Sequence, residues 1–393
     1  MILTNDQYNG LSKLLKWYQK YSKQFIEISG TIGTGVWDLI QEFFKQTDLD
    51  QEDIIYLSLN QKQIVDLAFK KYHIYHLDNF IYNYSKIVNF DTLPVLNRFS
   101  KEIEFYWKKE VNKKTNHDYK IIVVFDSFLL NYQIINDLAS FGLPIILLRD
   151  PMLLPAPDTY TFLRDANINL YEINDIYSKS PIIHFAHKII NNEPLKPGSY
   201  DTVSVIRKKD MNLYNLKSSD MILTTLEDTR NLINNLYRQK IMKCKDLVNV
   251  VNERVIISET IYKKKLTNQD EKKIKIYFAE GTVGHLIKVN KHVSNSKYVG
   301  VDFQPEFYHE TFTQLMMDRH HLNKMDAPSN QLIPEEIVKF DYAYALTIPE
   351  SKYSYWNKVT LIDDTGEYYD HELRKILLYT GIVKSKDSLS III

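Results

Sequence analysis

The sequence predicts an α/β protein with parallel sheets, because short apolar segments of strand length alternate with segments whose apolar residues recur at helical spacing. Parallel strands need such intervening segments, since each connection must return the chain to the same end of the sheet. The alternation occurs in the first half of the chain and again in the second half. Strands are predicted at 25–28, 54–59, 121–125, 144–148, 170–173 and 221–225.

Helices are predicted around these strands. Residues 7–22 have apolar side chains at helical spacing, and the strand at 25–28 runs into a glycine-rich turn that a second helix follows, through Trp37, Leu39, Ile40 and Phe43. A third helix is predicted at 228–240. Strand, turn and helix in this order are typical of a RecA-like or Rossmann-like unit.

Two domains are expected, because 393 residues exceed the size of one ordinary hydrophobic core. The best linker lies at 191–199, where Pro194, Pro197 and Gly198 break regular structure. This division gives a first domain at 1–190, with an inserted segment at about 84–117. The second domain is predicted at 200–393, with a β-rich insertion at about 274–340.

Charge limits how the chain can meet nucleic acid. Its 49 basic and 49 acidic residues cancel, so any nucleic-acid contact must be local. Two Lys-rich runs, at 108–114 and 263–275, could contact phosphates, although solvated surface is the commoner role of such runs. The 28 tyrosines and the many Asn, Ile and Lys residues indicate the coding bias of an AT-rich genome, such as that of a phage or plasmid.

Metal and membrane sites are not predicted. Cys244 is the single cysteine, so the chain has no internal disulfide and no cysteine-cluster metal site. His184 and His187 lack a third ligand in a metal-site pattern. No apolar run approaches the roughly 20 residues that cross a bilayer, and a signal peptide is not evident at the start. We therefore expect a cytoplasmic protein, in the host cytoplasm if a phage encodes it.

The glycine-rich turn resembles a phosphate-binding loop. A strand, a glycine-rich turn and a helix direct backbone N–H groups at phosphate, and Gly30, Gly33 and Gly35 suit such a turn. In the pattern G-x-x-x-x-G-K-[ST], the lysine contacts phosphates and the hydroxyl binds Mg²⁺. Val36 and Trp37 occupy those two positions, so we expect strongly impaired triphosphate binding. The alternative is that the glycines serve only a tight turn.

Further segments occur in the order found in superfamily 1 DNA helicases of the RecD/Dda type, which they resemble. In that family a glutamine near the start contacts adenine, and Gln7 matches it. Asp126 matches the aspartate that binds the metal, and Asp150 belongs to an Asp-Pro and Leu-Pro frame similar to G-D-P-x-Q-L-P. The remaining chemical positions differ from the family: Ser127 replaces a glutamate, Leu153 a glutamine and Asp175 an arginine finger.

The second half continues the resemblance. Residues 224–238 resemble T-N-x-x-R-x-x-L-N, and 281–284 with 301–303 resemble the motifs of an inserted barrel. The segment 344–356 is similar to Y-A-x-T-x-H-K-S-Q-G-S-E-W, and 378–386 to L-Y-T-A-I-T-R-A-K, with Lys384 at the position of the second catalytic arginine. Lysine keeps the charge but lacks the planar fork of arginine.

The resemblance implies two tandem RecA-like domains, each with a small insertion. Because the residues of the frame persist while the chemical ones are replaced, we expect a helicase-fold protein that does not hydrolyse ATP and needs no ATP or Mg²⁺ as cofactor. Its expected partner is single-stranded DNA or a replication or recombination complex. Candidate DNA-binding residues follow from the motif-like loops and the base-stacking aromatic side chains within them: Lys352, Tyr353, Tyr355, Trp356 and Lys386.

Two other functions stay open at this point. A scaffold subunit that binds only proteins would agree with the zero net charge, and it predicts no DNA affinity even at low salt. An active ATP-dependent helicase with an unusual nucleotide site would explain why Gln7 and Asp126 are kept.

Overall fold

The computed structural model describes residues 3–20, 23–88, 105–111, 119–155, 169–173, 179–244, 251–259, 261–265, 273–278, 280–290, 298–306, 311–318, 322, 337–366 and 369–393. Nine α-helices lie in these ranges: Asn5–Lys20 (α1), Val36–Lys45 (α2), Gln61–Phe69 (α3), Leu77–Ile81 (α4), Tyr132–Ala139 (α5), Pro181–Ile190 (α6), Leu213–Lys217 (α7), Glu227–Leu236 (α8) and His371–Ile382 (α9). Shorter helical turns occupy Gln51–Asp53, Ser127–Leu129, Lys208–Asp210, Tyr237–Ile241 and Pro349–Tyr353. Within the described ranges, no helix is long and apolar enough to span a membrane.

The strands form four sheets. Those of the first half are Phe25–Gly30 (β1), Ile54–Ser58 (β2), Ile74–His76 (β3), Tyr82–Val88 (β4), Phe105–Val111 (β5), Ile121–Val124 (β6), Ile145–Arg149 (β7) and Asn169–Ile173 (β8). Those of the second half are Gly198–Tyr200 (β9), Val203–Ile206 (β10), Met221–Thr224 (β11), Glu253–Ile257 (β12), Ile261–Lys265 (β13), Lys273–Phe278 (β14), Val283–Val289 (β15), Tyr298–Pro305 (β16), Phe312–Asp318 (β17), Ile337–Val338 (β18), Phe340–Tyr342 (β19), Ala345–Thr347 (β20), Trp356–Ile362 (β21) and Ser385–Ile392 (β22).

The first sheet is entirely parallel, in the order β3-β2-β6-β7-β1-β8. Its central strands β2 and β6 are buried along their whole length, as strands covered on both faces must be. Helices α1 and α2 pack on one face through Leu14, Leu39 and Phe43, and α4 and α5 cover the other. Because crossover helices cover both faces, side chains at the carboxyl ends of the strands meet along one edge.

The second sheet has the order β20-β11-β21-β22-β10-β9 and is parallel except for the β9–β10 pair. Helices α6 and α9 cover one face, and α7 and α8 cover the other. Helix α6 precedes the predicted linker at 191–199, yet its buried residues Ile182, Phe185 and Ile189 belong to the core of this second sheet. The division of the chain at that linker stays a prediction.

A six-stranded sheet, mostly antiparallel, extends from the second sheet in the order β18-β17-β16-β15-β12-β19. Phe303 and Phe340 are fully buried between its strands, with ring centroids 5.1 Å apart. One end is fixed by a buried ion pair, in which Nη2 of Arg238 donates to Oε1 of Glu253 over 2.8 Å. The Tyr344 hydroxyl donates to the same carboxylate over 2.9 Å, so the buried charge of Glu253 is balanced by a cation and by a further hydrogen bond.

The fourth sheet joins two hairpins that are distant in sequence. Strands β4 and β5 pair with each other, as do β13 and β14, and Ile274 of β14 pairs with Tyr84 of β4. The first hairpin begins at Tyr82 and overlaps the segment predicted as an insertion at about 84–117. The topology therefore brings strands from the two Lys-rich runs into one sheet, whose order is β13-β14-β4-β5.

The predicted fold class is confirmed, because two parallel sheets with helices on both faces form the centre of each half. The six predicted strands and the first two helices occur close to their predicted bounds. The helix predicted at 228–240 is α8, which continues into the helical turn Tyr237–Ile241. Within the insertion predicted at about 84–117, residues 89–104 and 112–117 lie outside the described residues.

Candidate functional site

A cleft of about 1080 Å³ lies between the two halves and contains most of the predicted nucleotide-site residues. The first half contributes the ends of β1 and β7, the residues that follow β6, and the start of α2. The helices that pack on the second parallel sheet contribute Ile183 of α6, and Val383 follows α9. The predicted residues that line this cleft are Gly30, Gly33, Gly35, Val36, Trp37, Asp126 and Asp150.

The glycine-rich turn has the shape of a strand-to-helix loop. Strand β1 ends at Gly30, and α2 begins at Val36 directly after Gly35. Gly33 and Gly35 have φ angles of 88° and 75°, in the left-handed region where residues with a Cβ are strained. The hydroxyl of Thr34 donates to the carbonyl of Thr31 over 2.7 Å and fixes the turn from within. These contacts explain the glycines whether or not the loop binds phosphate.

Gln7 is fully buried, and the fold uses both ends of its side-chain amide. Its Nε2 donates to the carbonyl of Thr34 over 2.8 Å, and its Oε1 accepts from the backbone N–H of Thr4 over 2.9 Å. The side chain therefore joins the start of α1 to the glycine-rich turn. The family resemblance assigns Gln7 to adenine, but in this structure its hydrogen bonds are intramolecular.

Trp37 belongs to an aromatic cluster at the start of α2. Its ring centroid lies 5.8 Å from that of Tyr56, 5.7 Å from Tyr72 and 5.4 Å from Phe125. Phe125 is the residue between β6 and Asp126, so the indole lies beside the predicted metal-binding position. Val36 packs into the same core. The two positions that bind phosphate and magnesium in a working loop therefore serve apolar packing.

Asp150 joins the two halves. Its Oδ2 accepts from the backbone N–H of Ile32 over 2.9 Å and from the hydroxyl of Tyr379, on α9, over 2.6 Å. The Tyr379 oxygen also accepts from the same Ile32 N–H over 2.9 Å, and Oδ1 of Asp150 accepts from Met152 over 2.9 Å. Burial nevertheless raises the pKa of Asp150 to about 6, against the lowering effect of these donors.

Two further contacts close the cleft beside Asp150. The imidazole Nε2 of His187, on α6, lies 3.0 Å from the carbonyl oxygen of Ile32. The hydroxyl of Thr380, on α9, accepts from the backbone N–H of Leu154 over 3.0 Å. The sequence pattern alone predicts no role for Tyr379, Thr380 or His187, although the first two lie inside the motif-like segment at 378–386. The resemblance of that segment to a helicase motif was the one feature of the sequence that could have pointed to Tyr379 and Thr380.

The charged residues that line the cleft are Asp38, Asp126, Arg149, Asp150 and Lys179, and Lys384 lies near Asp126 and Asp150. The Lys384 ammonium is buried and donates to the carbonyl of Lys352 over 3.0 Å. Burial lowers the pKa of Lys384 to about 8, and the charges of Asp126 and Asp150 oppose that shift. Burial raises the pKa of Asp126, and the Lys384 charge opposes it. One buried cation therefore faces two carboxylates, which leaves this part of the cleft without excess positive charge.

Two of the predicted DNA-binding residues, Tyr355 and Lys386, lie where the second half contacts α3 of the first half. The Tyr355 hydroxyl donates to Asp66 of α3, and the Lys386 ammonium lies 4.1 Å from the Tyr355 ring centroid and 3.9 Å from the Asp66 carboxylate. Lys352 lies 4.0 Å from Glu280, and Trp356 is only 3% exposed, within the core. The side chain of Tyr353 lies outside the described structure, as does Asp175, and these assignments stay predictions.

The comparisons with known proteins concern the fold. No protein-family model matches the chain, and no curated protein matches it. Among solved structures it is similar to a Pif1 helicase studied in DNA unwinding at forked duplex DNA, with TM-score 0.49, 12% identity, and coverage of 100% of this chain and 92% of that chain. A Pif1 helicase from Bacteroides in complex with ADP-AlF3 and single-stranded DNA gives TM-score 0.47, 13% identity, and coverage of 100% and 92%. The chain is also similar to the Pif1 helicase from Candida albicans, with TM-score 0.44, 11% identity, and coverage of 100% of this chain and 95% of that chain.

Replacing Trp37 tests whether this side chain, at the start of α2, stabilises the fold by packing against its aromatic neighbours. We expect Trp37→Ala to lower the free energy of unfolding by about 2–4 kcal/mol, because it removes the ring on which Tyr56, Tyr72 and Phe125 pack. Urea denaturation followed by circular dichroism measures the change. Tyr8→Ala, at an aromatic side chain that is 56% exposed, is the control and should change stability by less than about 0.5 kcal/mol. Equal effects of the two substitutions would contradict the packing role.

Asp150 should make stability fall as pH rises through the acid range. Its pKa of about 6 in the folded chain exceeds its ordinary value of 3.8, so between about pH 4 and 6 the folded state holds more protons than the unfolded state. The natural chain should therefore lose stability from pH 4 to pH 6, whereas Asp150→Asn, which cannot titrate there, should not. We expect the free energy of unfolding of the variant minus that of the natural chain to rise by up to about 3 kcal/mol over this range. Urea denaturation across this range measures it. Asp228→Asn, at an exposed carboxylate, is the control, and a difference for Asp150→Asn that does not change with pH would refute the assignment.

Proposed function

We propose that the chain is a helicase-fold protein that binds single-stranded DNA through its four-stranded sheet and does not hydrolyse ATP. The observation that carries the DNA-binding part is the meeting of two Lys-rich hairpins in that sheet. Its strands contain lysines at positions 86, 108, 109, 263, 264, 265, 273 and 275, and Glu110 is their acidic residue. A neutral protein that binds DNA needs such a local concentration of positive charge.

Aromatic residues accompany the lysines in the same strands. They lie at positions 82, 84, 105, 106, 107, 262, 277 and 278. Sheets that bind single strands combine basic residues, which contact phosphates, with aromatic residues, on which bases stack. Stacking does not depend on base identity, so this composition favours binding with little sequence preference. A partner complex of replication or recombination stays a prediction from the family resemblance.

The cleft supports the proposal that the chain does not hydrolyse ATP, because the residues at its glycine-rich turn do not fit a magnesium-bound triphosphate. The Ile32 N–H of the glycine-rich turn is already bonded to Asp150 and Tyr379, and Trp37 is packed among aromatic rings. Lys384 is balanced by Asp126 and Asp150. Phosphoryl transfer depends on positive charge positioned at the phosphate. Val36 stands at the position of the phosphate-loop lysine, and the Arg149 guanidinium in the cleft is paired with Glu27 over 3.5 Å. Ser127, Leu153 and Asp175 stand at the family's other chemical positions.

ATP turnover tests the cleft. We expect no phosphate release above background from the pure chain with Mg-ATP, either alone or with single-stranded DNA, because the lysine and hydroxyl positions are Val36 and Trp37. Asp126→Asn should leave this result unchanged, and so should the control Asp228→Asn. Turnover that DNA stimulates and that Asp126→Asn alone abolishes would instead identify an active helicase.

DNA binding is tested by fluorescence anisotropy of a labelled single-stranded oligonucleotide across a salt series. We expect affinity to fall steeply with salt, and the triple substitution of Lys263, Lys264 and Lys265 by alanine to reduce the slope of log affinity against log salt by about 2. The control replaces Lys208 and Lys209, which are exposed on a turn away from this sheet, and should leave affinity unchanged.

No binding at low salt would contradict the proposal and favour a protein scaffold. Equal effects of the triple variant and of the control would contradict the role of the sheet.

A further inference from the structure

A second cavity, of about 750 Å³, lies where the second parallel sheet meets the mostly antiparallel sheet. Residues at the start of β11 and β21 form one side, and residues at the start of β12 and just after the end of β16 form the other. The cavity is separate from the cleft, since no residue lines both. Its volume is within the range of small-molecule pockets.

One wall is aromatic. Tyr237 and Tyr344 stack with ring centroids 4.5 Å apart and an interplanar angle of 12°. Both rings line the cavity, and the Tyr344 hydroxyl is fixed by its hydrogen bond to Glu253. Trp356 lines the same cavity, and its indole N–H is buried without a hydrogen-bond partner in the described structure. A buried N–H without an acceptor costs free energy, so a bound acceptor would be stabilised there.

The cavity also contains polar groups that the fold does not use. Within the described part of the chain, the side-chain amides of Asn252 and Asn357 make no hydrogen bond to protein. Each amide offers two donors and one acceptor, the combination that matches the edge of a base. Asn252 has a φ angle of 72°, a left-handed conformation that asparagine tolerates and most other residues do not.

The charges of the cavity disfavour phosphate. The Arg254 guanidinium donates to Glu306 over 2.6 Å and to the backbone carbonyl of Asp220, so its charge is neutralised. Burial lowers the pKa of His285, which faces both Glu306 and Arg254. An imidazole that stays neutral adds no positive charge at neutral pH. Asp220 also lines the cavity, so the balance of charge inside it is negative.

We propose that this cavity binds one uncharged nucleobase, held against the Tyr237 and Tyr344 wall and hydrogen-bonded by Asn252, Asn357 and the indole N–H of Trp356. The proposal deepens the proposed function and rests on it in one respect: the base would belong to a bound single strand, whose phosphates remain outside the cavity. An unpaired base supplies both the π face and the polar edge that these side chains match.

Equilibrium dialysis with free nucleosides tests the proposal, because nucleosides have no phosphate. We expect adenosine, guanosine, cytidine or thymidine to bind with a Kd of millimolar or lower. Tyr237→Ala and Asn252→Asp should each weaken that binding about tenfold or more, the second because it exchanges an amide donor for a carboxylate while tolerating the left-handed backbone. Tyr214→Ala, at a tyrosine that is 76% exposed, is the matched control and should leave affinity unchanged.

The variants also separate this proposal from the DNA-binding sheet. Alanine at Lys263, Lys264 and Lys265 should weaken oligonucleotide binding and leave nucleoside binding unchanged. If oligonucleotides fail to bind while nucleosides bind and respond to the cavity variants, the sheet proposal fails together with the assignment of the base to a bound single strand, and the cavity remains a site for a free nucleobase or nucleoside. The cavity proposal would be overturned if no nucleoside bound at concentrations about tenfold above 1 mM. It would also be overturned if the cavity variants bound nucleosides with unchanged affinity. Asn357→Ala, at an exposed backbone position, provides the same test if Tyr237→Ala fails to fold.

Discussion

The carboxylate of Asp150 is the interaction on which the relation between the two halves depends. It is held at the end of β7, and it accepts hydrogen bonds from the glycine-rich turn and from α9 of the second half. A buried carboxylate is tolerated only when donors surround it, and here Ile32, Met152 and Tyr379 supply them. Around this contact, Ile32 and the residues at 152–154 pack against the core of the second sheet.

The same contact determines what the cleft can do. A loop that binds phosphate must keep its N–H groups available, and a metal site must keep an oxygen-rich face open. In this chain the Ile32 N–H is bonded within the protein, and the face beside Asp126 is formed by Trp37 and Phe125. Lys384 has the right charge for a phosphate, but the negative charges of Asp126 and Asp150 offset that charge. The apolar packing of Val36 and Trp37 and the hydrogen bond of the Ile32 N–H to Asp150 therefore belong to one arrangement at the glycine-rich turn.

The halves are joined at a second place, the four-stranded sheet of β4, β5, β13 and β14. This sheet is distinct in composition from the cleft, because lysine and aromatic residues are concentrated in its strands. A protein with no net charge can bind a polyanion only through such a local surface. The cleft and this sheet contain no common residue, so substitutions in one can be tested separately from substitutions in the other.

The sequence by itself determined the α/β class, the positions of the principal strands and the identity of the residues at the glycine-rich turn. These features are local: strand and helix periodicity repeat within a few residues, and the replacement of lysine by Val36 is visible without coordinates. Only the tertiary structure decided that Gln7 bonds to Thr34, that Tyr355 and Lys386 meet Asp66, and that α6 packs on the second sheet. It also brought the two Lys-rich runs together and created the cavity beside Trp356. Several of these contacts join residues more than 100 positions apart, so the pattern within any one segment contains no information about its distant partner.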